Sequence, residues 1–421
     1  MNVKKKLVLI ESEMKEPKGH FLNNLIDITN FYKKKFKIFW ILNKDFKTKG
    51  TFIPKNQKII KSIKSNTYKR NFNKFTYIIE EIYFLFLNIF HMFYFAFFFI
   101  KKKKFNNYIL ALRSNYFLLP RYFKSFYKSY KSLKLTKNDH IFFPTSRRKD
   151  IALINFLTKI DDEHPKFHLR LTLMPKKRFK SFFYYLREID EKLKNGSVFI
   201  YLLTKSHHNL ILKNSLNKQG IYISNLQFSY DPLSKYKRKF KKKKYVVGFV
   251  GNARRSRGFH HLPNLINLLE KKDKSLYYLI QFSKASEDLK LVKDKLYDLA
   301  KKNKRIKIIE KYVNYNEYVT ILKQIDIMPI LHQADEINNV TSGTLFSCFL
   351  YEIPFIAYHG LTFMKDITKY KSFETAKDLK NFAYQTIKIS KSYSFYLKNA
   401  KRNLKILKKL LNNDSVKKNF I

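Results

Sequence analysis

Short apolar runs alternate with amphipathic stretches along almost the whole chain, a pattern few folds accept. In the first half "KLVLIES", "FKIFWILN", "DHIFFPTS", "KFHLRLTLM", "SVFIYLLT" and "IYISNLQF" read as strands, with helices at "GHFLNNLIDITNFYKK" and "FKSFFYYLREIDEKLKN" between them. Strands that are apolar on both faces belong to parallel sheets covered by helices, not to bundles or sandwiches. A polar, proline-containing stretch, "SYDPLSKYKRKFKKKK", then interrupts the alternation, which restarts at "YVVGFVGN". The expected fold class is α/β, with two Rossmann-like doubly wound domains facing a cleft. A first domain over 1–228, a basic linker over 229–244, a second domain over 245–372 and helices alone over 373–421 are the expected divisions. A chain of 421 residues is also longer than one hydrophobic core usually serves.

Charge narrows the surroundings more than the chemistry. The net charge of +54 points to polyanionic or phosphorylated partners. The lysines are nevertheless spread along the chain among other residues with AT-rich codons, and no one domain is basic. No recognition motif for RNA or DNA accompanies them, so no specific nucleic-acid partner is expected. Cys348, the single cysteine, fits a reducing compartment and a place in the core. The opening "MNVKKKLVLIESE" reads as a first strand rather than a signal peptide. Within an apolar stretch over 75–104, residues 82–100 carry only Asn88 and His91 as strongly polar side chains and lead straight into Lys101 to Lys104. Its length would cross a bilayer. A true crossing, however, would separate the first two strands from the rest of their sheet. A helix that packs on the domain or dips into one leaflet, with its lysines on anionic head groups, is the preferred reading; a buried core helix is the other.

In open parallel sheets, ligands sit beyond the carboxyl ends of strands, and three loops there stand out. The first is "ESEMKEPKGHF", where Gly19 and His20 begin a helix; Gly19 admits a close approach and His20 is a candidate general base or sugar contact. In the same loop Glu13 and Glu16 are carboxylates within reach of the ligand edge. The second is "GNARRSRGF". There Gly251 and Asn252 end a strand, Gly258 allows close packing, and Arg254, Arg255 and Arg257 offer forked donors to a diphosphate. The third is "NNVTSGTLFSCF", where Thr341, Ser342, Gly343 and Thr344 form a hydroxyl-rich turn at a helix start, suited to an anion. Each loop also has a plain structural reading: a tight turn, a solvated surface, an ordinary N-cap. Neither a dinucleotide fingerprint nor a P-loop is present. No Asp-any-Asp pair stands where it would hold a metal, and the His-His pairs at 207 and 260 lack metal-ligand spacing.

These motifs together resemble those of nucleotide-sugar-dependent glycosyltransferases of the GT-B fold, in particular the retaining group that includes lipopolysaccharide and capsule transferases. "GFVGNARRSRGF", "QIDIMPIL" and "TSGTLFSCFLYEIPFIAY" carry the resemblance, with "KGHF" as a thinner match in the first half. The resemblance implies a UDP- or GDP-linked sugar donor as substrate and no cofactor or metal. It also implies a polysaccharide or lipid-linked glycan as acceptor, and a cytoplasmic enzyme peripheral on the inner face of a bacterial membrane. Arg257, helped by Arg254, would then neutralise the leaving diphosphate, with Ser342, Gly343 and Thr344 holding the same phosphates. The chain departs from that group at one point: Asn339 and Ser347 stand where two glutamates would. That leaves the donor, the stereochemical outcome and activity itself open, with a non-catalytic polyanion-binding protein and a sugar-nucleotide epimerase as alternatives.

Overall fold

The computed structural model describes residues 4–15, 20–47, 53, 57–63, 120–171, 186–203, 205–214, 219–224, 238, 240, 244–283, 285–313, 315–332, 342–360, 368–412 and 415–420. The apolar stretch 82–100 and most of the linker 229–244 lie outside them. Among the described residues no helix is long and apolar enough to cross a membrane. Two compact units are formed, one by Met1–Ser224 with Asn419–Ile421 and the other by Asn225–Lys418.

In the first unit the described elements are β1 (Lys6–Glu11), α1 (His20–Tyr32), β2 (Lys37–Asn43), β3 (Lys58–Ile63), α2 (Pro120–Ser132), β4 (His140–Ser146), α3 (Arg148–Ile160), β5 (Lys166–Leu171), α4 (Asp190–Lys194), β6 (Val198–Leu202), α5 (Lys205–Asn214) and β7 (Ile221–Ile223). The sheet runs β3-β2-β1-β4-β5-β6-β7, every pair parallel. Leu7 to Ile10 of β1 and Trp40 to Leu42 of β2 are buried on both faces, the reason these segments read as unbroken apolar runs. The order reverses between β1 and β4. β3 escapes the sequence pattern because it is an edge strand, "KIIKSI", whose lysines face out and blunt the open edge.

Three strands of this sheet share a buried polar chain. His140 Nδ1 and His168 Nε2 lie 2.9 Å apart, and His168 Nδ1 is 2.8 Å from the Tyr201 hydroxyl. Phe420, brought back by α12 (Ser415–Asn419), stacks on His168 with ring centroids 4.1 Å apart. It also contacts His140 and Phe142. Burial, and then Lys166 and Lys5, push His140 down to about 4; burial, then His140 and Lys166, push His168 well below its usual value. Both imidazoles are therefore neutral in the fold, whereas in the unfolded chain they take up a proton near pH 6.5. Their contribution is complete above pH 6.5 and fades as pH falls below it, for His140 on the way down to about 4. The expected loss is roughly 1 kcal/mol per histidine between pH 6.5 and 5.5. Denaturant unfolding of wild type and His168→Gln at these two pH values checks it: the variant's loss should be smaller, and equal losses would assign the effect to other groups.

The second unit contains β8 (Val246–Asn252), α6 (Leu262–Glu270), β9 (Tyr277–Ser283), α7 (Lys290–Lys302), β10 (Ile306–Glu310), α8 (Tyr315–Gln324), β11 (Met328–Ile330), α9 (Gly343–Leu350), β12 (Phe355–Tyr358), β13 (Phe373–Ala376), α10 (Leu379–Lys391) and α11 (Tyr393–Asn412). Its strands pair in two parallel sets, β10-β9-β8 and β11-β12-β13. Val247 and Ile327 bridge the two sets, and the Gly248 amide donates to the Ile327 carbonyl at 2.9 Å. The combined order is therefore β10-β9-β8-β11-β12-β13, reversing between β8 and β11. Leu262, Leu265, Ile266 and Leu269 recur at helical spacing in α6 and are all buried. Two expectations need correcting. Residues from 373 on are not helices alone, because β13 extends the sheet before α10 begins, and the last residues belong to the first unit. The basic segment 229–244 is not merely a solvated linker, since Arg238 within it is 2% exposed and packs inside the second unit.

Candidate anion site in the second unit

The reversal between β8 and β11 opens a crevice at the carboxyl ends of those strands, where doubly wound sheets take ligands. β8 ends with Gly251 at φ +133° and Asn252. The Gly251 amide donates to Gln281 Oε1 at 3.3 Å, while Gln281 Nε2 donates to the Lys311 carbonyl at 2.9 Å. Asn252 Oδ1 accepts from the Ser283 hydroxyl at 2.8 Å. These contacts fix the strand end before the chain enters a short 3₁₀ turn, Arg255–Arg257.

Gly258 closes that turn in the left-handed region, at φ +71°. A Cβ here would lie 2.3 Å from both the Cβ and the carbonyl oxygen of Leu331, so the loop rests directly on the end of β11. Phe259 follows, fully buried against Phe249 and Phe282, and holds the turn down. Arg257 is half-buried and folds back over the strand end, its Nη1 3.1 Å from where a Gly251 Cβ would stand. The three arginines then part company. Arg254 is exposed. Arg255, read from the sequence as a third donor to the ligand, is paired at 2.8 Å with Asp288 on the surface.

Across the crevice α9 begins at Ser342, a buried N-cap whose Oγ accepts the Leu345 amide at 3.3 Å. The amides of Gly343 and Thr344 belong to the first helical turn and have no partner within the helix. Ser347 Oγ donates to the Gly343 carbonyl at 2.9 Å, so its remaining contact, 3.3 Å from the Tyr318 hydroxyl, is one it accepts. Burial raises the Tyr318 phenol, which also touches Thr344 and lies within the field of Arg257. His332, just beyond β11, lies within the same field; burial first and Arg257 second push it down to about 4, leaving a neutral imidazole. One guanidinium thus acts on side chains from α8 and from the end of β11, and the Tyr318 contact with Thr344 ties in the start of α9. Such an arrangement meets an anion with a fixed cation and preoriented donors.

The sequence did not single out Tyr318 or His332. His332 had a usable signal, its place after a strand that ends at the ligand edge; Tyr318 had none, because a helical tyrosine is usually packing. Gly19 and Thr341 lie outside the described residues, as does Asn339; α1 begins at His20, whose side chain is likewise undescribed. In the first unit, Glu13 is paired with Lys149 and lies 3.9 Å from Arg147, while Glu16 is undescribed. Glu11 ends β1, accepts from Thr145 at 2.9 Å and is raised to about 8 by burial. Cys348 is buried against Met328, where desolvation pushes its thiol up. Among the described residues no group of three or more His, Cys, Asp and Glu is placed to hold a metal ion.

No family model matches the chain, and no curated protein is similar to it. Solved structures are. A glycosyltransferase from Rickettsia africae superposes with a TM-score of 0.62 at 14% identity, over 100% of this chain and 96% of that one. Anabaena Alr3699/HepE, solved in complex with UDP and glucose, gives 0.57 at 12% identity, over 97% and 99%. Sucrose-phosphate synthase from Thermosynechococcus elongatus gives 0.58 at 8% identity, over 97% and 95%. At such identities the likeness is one of fold: in its described residues this chain has the parallel α/β fold of GT-B glycosyltransferases.

Proposed function

We propose that this chain is a glycosyltransferase that moves a sugar from a UDP- or GDP-linked donor to a polysaccharide or lipid-linked glycan. It works at the cytoplasmic face of a bacterial membrane, with retention and without a metal. The observation that carries the reading is the position of Arg257 at the reversal between β8 and β11, with the first-turn amides of Gly343 and Thr344 at the same sheet edge. When the bond between sugar and diphosphate breaks, its electron pair stays on the phosphate oxygen; the acceptor hydroxyl bonds to the sugar carbon and its proton passes to the departing diphosphate. The charge gathering on the leaving oxygen is what a fixed guanidinium and open amides stabilise. Because His332 is neutral, it offers a hydrogen bond there without adding charge. Arg254, exposed at the rim, supplements Arg257, and Ser342 holds the helix start in register.

Calorimetric titration with UDP and with GDP tests the donor site. One nucleotide should bind in the micromolar range, and Arg257→Ala should weaken it at least tenfold, about 1.4 kcal/mol. No binding of either by folded protein would overturn the reading in favour of a polyanion-binding protein.

A further inference from the structure

α10 and α11 together contain no acidic residue, yet they cover one side of the second unit. α11 turns Tyr393, Tyr396, Leu397, Ala400, Leu404 and Leu407 inward, and it packs on α9, the helix that opens the anion site. The opposite face is exposed and one-sided in composition. Phe395, 52% exposed, is followed by Lys398, Arg402, Lys405 and Lys409, all exposed, at alternating steps of three and four residues. That spacing puts the five side chains on one line along the helix, about 21 Å long at 1.5 Å per residue. No salt bridge among the described residues engages any of the four cations; Arg402 lies over the Tyr370 ring at 5.1 Å.

A helix rigidly seated by its buried side gains nothing for folding from a line of four like charges, whose mutual repulsion is mildly unfavourable. We propose that this face of α11 docks the second unit on an anionic membrane surface, Lys398, Arg402, Lys405 and Lys409 lying among the lipid phosphates and Phe395 entering the interface. Positive charge on one line matches a flat negative surface, and each cation held near such a surface adds to the attraction. An exposed phenylalanine beside those cations has its favourable place at the boundary between head groups and chains. Single-stranded nucleic acid bound without sequence preference instead takes a positively charged groove that tracks its backbone, and the exposed side of a helix is convex. The inference deepens the reading above, in which the acceptor lies at a membrane, but it does not depend on the donor site.

The test uses the full chain and phosphatidylcholine vesicles with and without phosphatidylglycerol, followed by sedimentation. Lys398, Arg402, Lys405 and Lys409 are changed together to glutamine, which keeps helix propensity. A control changes the exposed Lys290, Lys295, Lys301 and Lys302 of α7 to glutamine, removing the same charge from another surface. Partition onto the anionic vesicles should fall at least tenfold in the α11 variant and less than threefold in the control. A Phe395→Cys variant labelled with a polarity-sensitive dye should shift to the blue on those vesicles, Cys348 being too buried to compete for label. Equal loss in the two glutamine variants, or no loss in either, overturns the proposal. So does an α11 variant that keeps vesicle binding but loses single-stranded RNA. Nucleotide titration of the same proteins reports separately on the donor site, so failure of one reading is visible without the other.

Discussion

Arg238→Ala is expected to destabilise the second unit by roughly 3–5 kcal/mol, the cost of breaking a buried ion pair from one side. The guanidinium is wholly buried. Its Nε donates to the Tyr351 carbonyl at 2.7 Å and its Nη2 to the Leu322 carbonyl at 2.7 Å, while Nη1 donates to the Ile325 carbonyl and faces Asp326 at 3.5 Å. Leu322 lies in the last turn of α8, Ile325 just past it, and Tyr351 caps α9, so one side chain satisfies the negative ends of two helices. Asp326, which also accepts the Val246 amide at 3.0 Å, would be left as a buried charge without its cation. Native domains hold only about 5–15 kcal/mol in total, so this one change removes a large share. Arg238→Lys keeps the charge but not the fork, and should recover only part of the loss. Denaturant unfolding curves of the two variants decide it; a loss under about 1 kcal/mol in Arg238→Ala, the range of exposed pairs, would show that the buried network adds little.

Gly258→Ala is the second large effect, and its two causes can be separated. A side chain in the left-handed region costs roughly 1–2 kcal/mol. The added Cβ would also stand 2.3 Å from Leu331 backbone and side chain, and forcing that packed contact apart adds about 1–3 kcal/mol. Gly196 supplies the comparison: it has the same φ, +71°, but a Cβ there would meet only Phe199 Cζ at 3.9 Å. Gly196→Ala should therefore show the backbone cost alone. Moving the loop off β11 also moves Arg257, so Gly258→Ala should weaken nucleotide binding while Gly196→Ala leaves it unchanged. Thermal unfolding and nucleotide titration of both variants are the check, and equal losses in the two would remove the steric argument.

Most of the sheet was legible in the sequence because parallel strands buried on both faces must be apolar throughout, and those runs are hard to mistake. Two of the edge strands broke the rule. β3 exposes Lys58 and Lys61 and β13 is four residues long, so neither carries the signal. Within the anion site, glycines and helix starts announced themselves by position. The roles of the arginines did not: Arg255 and Arg257 are two residues apart, and only the turn geometry sends one to Asp288 and the other over Gly251. Arg238 was hidden for another reason. It stands among seven other basic residues between 229 and 244, and nothing local marks it out from its neighbours. Tyr318 and His332 matter through where α8 and β11 end relative to Arg257, which is a property of packing.

Phe420 lies on His168, and the whole of the second unit stands between them in the chain. During synthesis the first unit therefore leaves the ribosome with its aromatic and histidine face uncovered, and keeps it so until every residue through 418 has followed. The first unit to begin is the last to be completed, and for that interval the exposed ring face depends on the growing chain, or on a chaperone, to keep it from other partners.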